Sequence, residues 1–202
     1  MCGTPHIVWK TIYMGKSGVF CIESEWEKDL KDKKTVRPLL EIFETASGHP
    51  FIHRRVATKS ELKYFVDLWC KKYSNYKILS FETHGNKASD LFLHGDDKED
   101  WKSINLKEIV KEIQGRGKDR FLYLGGCRIL NRNEKEIKEF LKETKLKAFI
   151  GYTKNVGWVE TCAFQLVIFQ ALLNYKTAVG AKNYLEKHEQ LVKELGMKFI
   201  IR

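Results

Sequence analysis

The chain is short of the features that would break it into pieces. Only three prolines occur among 202 residues, and no repeat, linker or low-complexity stretch divides them, which excludes a disordered organisation. Long apolar runs are missing as well. The longest strongly apolar piece, Ala163 to Leu173, is interrupted by Gln165 and Gln170, so no segment is expected to span a membrane. Met1 to Lys16 lack the basic start and unbroken apolar centre of a signal peptide, and the expected address is cytoplasmic. The five cysteines (Cys2, Cys21, Cys70, Cys127, Cys162) are odd in number, scattered, and free of any CxxC pair or tight Cys/His spacing. Neither a disulfide framework nor a zinc module is expected, and a reducing compartment is implied. No metal or cofactor is expected either.

With 43% hydrophobic and 31% charged residues, the chain can bury a sizeable core as one domain covering 1–202, of which 1–17 form an N-terminal extension. A formal net charge of +10 suggests phosphate binding. Yet only eight of the 36 basic residues are arginine, and the lysines are spread among glutamates along helix-like segments. A solvated, lysine-rich surface is the simpler reading. Nucleic acid is therefore not expected as a partner, while weak attraction to acidic partners stays open.

Segments of two hydrophobic periods alternate from residue 18 onward. Strands are expected at Val19–Glu23, Phe51–Val56, Ile78–Thr83, Arg120–Leu124 and Leu146–Gly151, a short hairpin strand at Asp90–His94 and a terminal strand at Lys198–Ile201. Helices are expected at Val36–Ala46, from Thr58 or Ser60 to Tyr73, at Asn105–Gln114, from Asn131 or Asn133 to Glu143, at Val159–Leu173, and as one piece at Thr177–Leu195. Repeated β/α order predicts an α/β fold with parallel strands and helices on both sheet faces.

Two of these strands end on residues suited to one reaction. Ile78–Thr83 runs into His84-Gly85, and Phe121–Leu124 runs into Gly125-Gly126-Cys127. Side chains at the carboxyl ends of neighbouring parallel strands share a crevice, where open α/β sheets bind ligands. If these strands are neighbours, a histidine and a thiol face each other, as a cysteine nucleophile and its base must. Cysteine attacks as thiolate. Backbone N–H groups between the strand and the following helix-like segment favour that form and can bind an oxyanion. Gly125 and Gly126 free the backbone to turn and let a substrate approach, as Gly85 does in the histidine loop. A lone cysteine is more often a small packing residue; the matched pair of motifs favours the dyad.

These elements resemble the caspase and haemoglobinase type of cysteine peptidase, and within it the CHAT (caspase-like) branch found widely in prokaryotes. The resemblance rests on Leu79-Ser80-Phe81-Glu82-Thr83-His84-Gly85, the hairpin Leu91-Phe92-Leu93-His94-Gly95, the helix near Leu106 to Ile113, Phe121 to Cys127, and the strand Ala148-Phe149-Ile150-Gly151-Tyr152. It covers about Val19 to Leu173. It implies a three-layer αβα sandwich with a mostly parallel, about six-stranded sheet, and a protein or peptide substrate, with a regulatory partner protein open. By the same resemblance His84 is the general base or acid, Cys127 the nucleophile, and the N–H groups of Gly85 and Cys127, beside Gly126, the oxyanion hole. His84 and Cys127 stand 43 residues apart, close to the roughly 50 of caspases. Of the caspase Gln-Ala-Cys-Arg-Gly only Cys127 and Arg128 agree. Arginine-cleaving relatives often carry a carboxylate two residues before the cysteine, where this chain has Gly125; Glu82, Asp96 or Glu160 can supply a negative group from elsewhere. The loop Tyr152 to Trp158, including Lys154, is implied to line the substrate pocket, with an ordinary surface turn as its alternative.

Competing signals rank lower. Met1-Cys2-Gly3 is similar to the start of amidotransferases with an amino-terminal cysteine, but those use stacked antiparallel sheets. His49 and His53 lack a third ligand for zinc. Gln114 to Lys118 has the composition of a phosphate loop without its spacing, and His94-Gly95 is the first rival to His84. Besides a peptidase, the pattern allows a catalytically silent module of the same fold that binds a partner at the crevice.

Overall fold

A computed structural model describes residues 15–27, 29, 31–86, 90–93 and 102–202. Its first strand, β1 (Gly18–Glu23), is buried on both faces, as a strand in the interior of a parallel sheet must be. α1 (Arg37–Ser47) has proline in its first turn and ends on Gly48, left-handed at φ 70°. β2 (Phe51–Arg55) leads to α2 (Lys59–Lys71), which opens on a capping box: Thr58 Oγ1 accepts from the Glu61 N–H and the Glu61 carboxylate accepts from the Thr58 N–H. β3 (Tyr76–Glu82) is followed by an antiparallel pair, β4 (Asp90–Leu93) and β5 (Lys102–Asn105), and by α3 (Leu106–Ile113). Then come β6 (Phe121–Leu124), α4 (Glu134–Thr144) capped by Asn133, β7 (Ala148–Tyr152), α5 (Trp158–Asn174), α6 (Ala178–Glu186), α7 (Glu189–Leu195) and β8 (Met197–Ile201).

The main sheet has six strands in the order β2-β1-β3-β6-β7-β8, all parallel except the β7–β8 pair. Strand alternation divides the core in two. Phe20, Ile22, Leu79, Phe81, Leu122, Leu124 and Phe149 meet α2, α3, α4 and the β4–β5 hairpin. Val19, Cys21, Ile78, Phe121, Tyr123, Ala148 and Ile150 meet α1, α5, α6 and α7. The result is a three-layer αβα sandwich, as the sequence pattern predicted. Among the described residues no helix is long and apolar enough to cross a membrane.

Two segments differ from expectation. The segment 177–195 is two helices, not one. Lys187 and His188 donate to Tyr184 and Leu185, which tightens the chain at the end of α6, while the His188 ring packs on Phe164 and Tyr184. The change of direction buries Leu195 and returns the chain beside β7. The return is antiparallel because Gly196, at φ 60°, turns α7 straight into β8. β5 was not foreseen: Lys-Ser-Ile-Asn has one apolar residue, Ile104, buried beside Leu91 and Leu93. His94-Gly95 and Asp96, like Cys2, lie outside the described residues.

Arg120, buried at the entrance to β6, ties the sheet to the end of α2. It donates from Nη1 to the Trp69 carbonyl at 2.8 Å and from Nη2 to the Cys70 carbonyl at 3.4 Å, and its guanidinium lies 4.5 Å from the Trp69 ring centroid. Both carbonyls belong to the last turn of a helix, which has no intrahelical donors for them. Arg120→Met is expected to cost about 2 kcal/mol, since a hydrogen bond from a charged donor contributes roughly 1.5–3 kcal/mol. The measurement is the urea midpoint at unchanged slope; an unmoved midpoint would mean that water replaces the guanidinium.

Candidate active site

β3 and β6 are adjacent and parallel, with Phe81 opposite Leu124, so the motifs that follow them emerge side by side. Their loops touch through backbone. A Cβ on Gly126 would lie 2.5 Å from the Thr83 carbonyl oxygen and 3.2 Å from the Gly85 nitrogen, and one on Gly85 would overlap the Cys127 carbonyl and the Ile129 side chain. Glycine is required at both positions by this approach. On its other side Gly85 bridges Leu91 in antiparallel fashion, framed by Phe92 N–H to His84 O and Asn86 N–H to Asp90 O. It occupies the non-hydrogen-bonded position of that bridge, which turns its own N–H away from β4.

His84 and Cys127 line one cavity of about 200 Å³, together with Trp26, Val36, Glu82, Gly126, Val156, Trp158 and Gln165 among others. His84 Nε2 is 2.5 Å from the Trp26 carbonyl oxygen. A carbonyl only accepts, so Nε2 carries the proton and Nδ1 is the basic nitrogen. Cys127 Sγ accepts from the Val156 N–H at 3.4 Å and faces the Val156 carbonyl at 3.9 Å. The Trp26 and Trp158 rings meet edge to face at 4.6 Å, and the Trp26 ring meets His84 at 5.3 Å.

Two carboxyl groups lie beneath this cavity, side by side across β1 and β3 in the register Glu23↔Glu82. Burial pushes the Glu23 carboxyl up, but hydrogen bonds from His53, Thr35, the Trp26 indole and the Val36 N–H outweigh it and hold the group below its ordinary value. The contacts are 2.6 Å for the first three and 2.8 Å for the last. Among the described residues, Glu82 has only Ser80 Oγ and Gln165 Nε2, the latter at 2.6 Å, both on Oε1. Burial, reinforced by the Glu23 charge and only partly countered by those two bonds, pushes it from 4.5 to about 8. Near neutrality the pair thus carries one charge, on Glu23, with Glu82 protonated. Burial also raises the Cys162 thiol to about 11.

The sequence-predicted residues are divided by the structure. His84, Cys127, Gly126, Glu82 and Trp158 share the cavity wall. Gly85 stands behind it, packed on the Cys127 carbonyl. Tyr152 is fully buried with its hydroxyl 2.9 Å from that of Tyr123, because the side chain points into the α5 side of the core. Arg128 adopts φ 56° and donates its N–H to the Lys154 carbonyl at 3.0 Å, while Lys154 Nζ reaches the Lys193 carbonyl. These residues tie the Cys127 turn to the β7 loop through backbone. Glu160 is exposed at the start of α5 and is absent from the cavity wall. A turn follows the cysteine, and the helix expected from Asn131 or Asn133 is α4, which starts at Glu134 with Asn133 as its cap.

Trp26, Val36 and Gln165 were missed, whereas Val156 falls in the loop that was expected to line the pocket and does line it. The first two come from the β1–α1 connection and Gln165 from α5, and neither segment carries a spacing that points to Cys127. His49 and His53 have separate roles: His49 meets the Ser17 carbonyl and Asn174, whereas His53 meets Glu23. Among the described residues no cluster of His, Cys, Asp and Glu can hold a metal ion. In the Gln114–Lys118 segment, Arg116 pairs with Asp67 at 2.6 Å and so links that turn to α2.

Fold and site together define a three-layer α/β protein with a His- and Cys-lined cavity at the carboxyl edge of a parallel sheet. The chain belongs to a family of unknown function, DUF6642, whose model matches residues 16–200. No curated protein matches it.

Two outcomes are expected. Gly85→Ala forces the two loops apart and is expected to lower stability by about 1–3 kcal/mol, the usual range for overpacking; an unchanged thermal midpoint would refute the close approach. Glu82 is raised above its unfolded value, so the stability it contributes is fully present below about pH 4.5 and is lost as pH rises through about 8. Glu82→Gln, which cannot ionise, is expected to lose less stability than the wild type between pH 5 and pH 9. Parallel pH profiles would show that Glu82 titrates normally.

Proposed function

We propose that the protein is a caspase-like cysteine endopeptidase in which His84 and Cys127 form the dyad. The observation that carries the reading is the shared cavity at the ends of two adjacent parallel strands, where a histidine with its basic Nδ1 defined by the Trp26 carbonyl accompanies an accessible cysteine. The resemblance of the strand-end motifs to the CHAT branch agrees with it.

In this mechanism the Cys127 thiolate attacks the carbonyl carbon of a peptide bond, a C–S bond forms, and the C–N bond breaks as His84 gives its proton to the leaving amine. Water then loses a proton to His84, attacks the thioester, and releases the carboxylic acid and the thiol. The carbonyl oxygen becomes negative in each transition state, and the N–H groups of Gly85 and Cys127, beside Gly126, are the donors this reading assigns to it. Protein or peptide is the substrate class, and a regulatory partner is compatible with it.

A second reading is a silent binding module of the same fold. The engagement of Cys127 Sγ with both polar groups of Val156 favours it, since the sulfur must leave these partners to attack. Iodoacetamide labelling near neutral pH separates the two. Cys127 is expected to react fastest of the five cysteines, and His84→Ala to slow it at least tenfold. Cys127→Ala is expected to abolish peptide hydrolysis with the circular dichroism spectrum unchanged. Slow labelling of Cys127 that ignores His84 would leave only the binding module.

A further inference from the structure

We propose that the cavity beside Cys127 receives a cationic side chain, the lysine or arginine of a peptide, with Glu82 as its counter-charge; this deepens the peptidase reading and rests on it. Glu82 lies on β3 two residues before His84, lines the cavity and is 2% exposed. Its two hydrogen-bond donors, Ser80 and Gln165, are neutral, and among the described residues no lysine or arginine forms an ion pair with it. Glu23, one strand away, shows how this fold treats a buried carboxylate that it serves from within: four donors saturate it. Glu82 has half that number, all on one oxygen. A buried carboxyl left short of partners and facing an open cavity is suited to a ligand that brings the missing charge.

The rest of the cavity fits the same ligand. Gly125 has no side chain, and a Cβ there would overlap Glu82 Oε2, so the absence of that atom is what lets the carboxyl sit beside the cysteine loop. Trp26 and Trp158 offer ring faces and edges for an alkyl stem with a cationic head. A volume of about 200 Å³ admits one long side chain rather than a folded segment. Lys34 at the wall is held by Glu27 at 2.5 Å, which offsets its repulsion of a second cation. When the cation binds, Glu82 gives its proton to solvent and a paired carboxylate replaces the neutral acid. Of the other acidic candidates from the sequence, Glu160 is off the wall.

The test measures binding of benzamidine and its neutral isostere benzamide to the whole chain by calorimetry, in the wild type, Glu82→Gln and Cys127→Ala. Benzamidine is expected to bind at least tenfold more tightly than benzamide, Glu82→Gln to erase the difference and Cys127→Ala to keep it. Equal binding of the two compounds to the unaltered chain, or a preference that survives Glu82→Gln, overturns the proposal, and the first comparison holds whether or not the variant folds. Peptidyl acyloxymethyl ketones ending in lysine or norleucine then address the source of the cation. The lysine probe is expected to label Cys127 at least tenfold faster. Equal rates would overturn a peptide side chain as the ligand. Selective benzamidine binding with no labelling of Cys127 by either ketone would support a cation receptor and end the peptidase reading.

Discussion

The site depends on the buried charge of Glu23. A carboxylate without water is costly unless donors saturate it, and the donors come from β2 through His53 and from the β1–α1 connection through Trp26, Thr35 and Val36. Satisfying that charge therefore folds the connection down over the end of the sheet. Once there, it places the Trp26 carbonyl against His84 and the Trp26 ring against Trp158. The geometry of the histidine follows from an acid on a different strand, through Trp26.

The adjacent carboxyl has the opposite fate because the parallel register sets Glu82 beside a charge that is already stabilised. Two like charges at that spacing are unfavourable, and the poorer set of donors decides which group keeps its proton. The close glycine contacts act in the same place by a steric route. Gly85 and Gly126 bring the histidine and cysteine loops together, while Gly125 vacates the space that Glu82 enters. Three glycines that read in the sequence as turn-formers thus act by letting neighbouring groups approach.

Much of the architecture was legible because its signals are local. Val19–Glu23, Ile78–Thr83 and Phe121–Leu124 are apolar runs of strand length, and the helices between them carry apolar faces and capping residues such as Thr58 and Asn133. The signals failed where packing overrode periodicity. At Lys187–His188 a continuous helical pattern is broken because His188 turns onto Phe164 and Tyr184. At Lys102–Asn105 pairing with β4 makes a strand of a polar tetrapeptide.

For the site, the sequence by itself determined that a histidine and a cysteine each end a strand, since hydrophobic runs and the glycines beside them are contiguous in the chain. Tertiary structure alone decided that those strands are neighbours, that Trp26 and Gln165 join them, and that Tyr152 faces the core. It also decided which buried acid is charged. These facts depend on strand order, register and desolvation, which arise between segments distant in the chain and leave no periodic trace within any one of them.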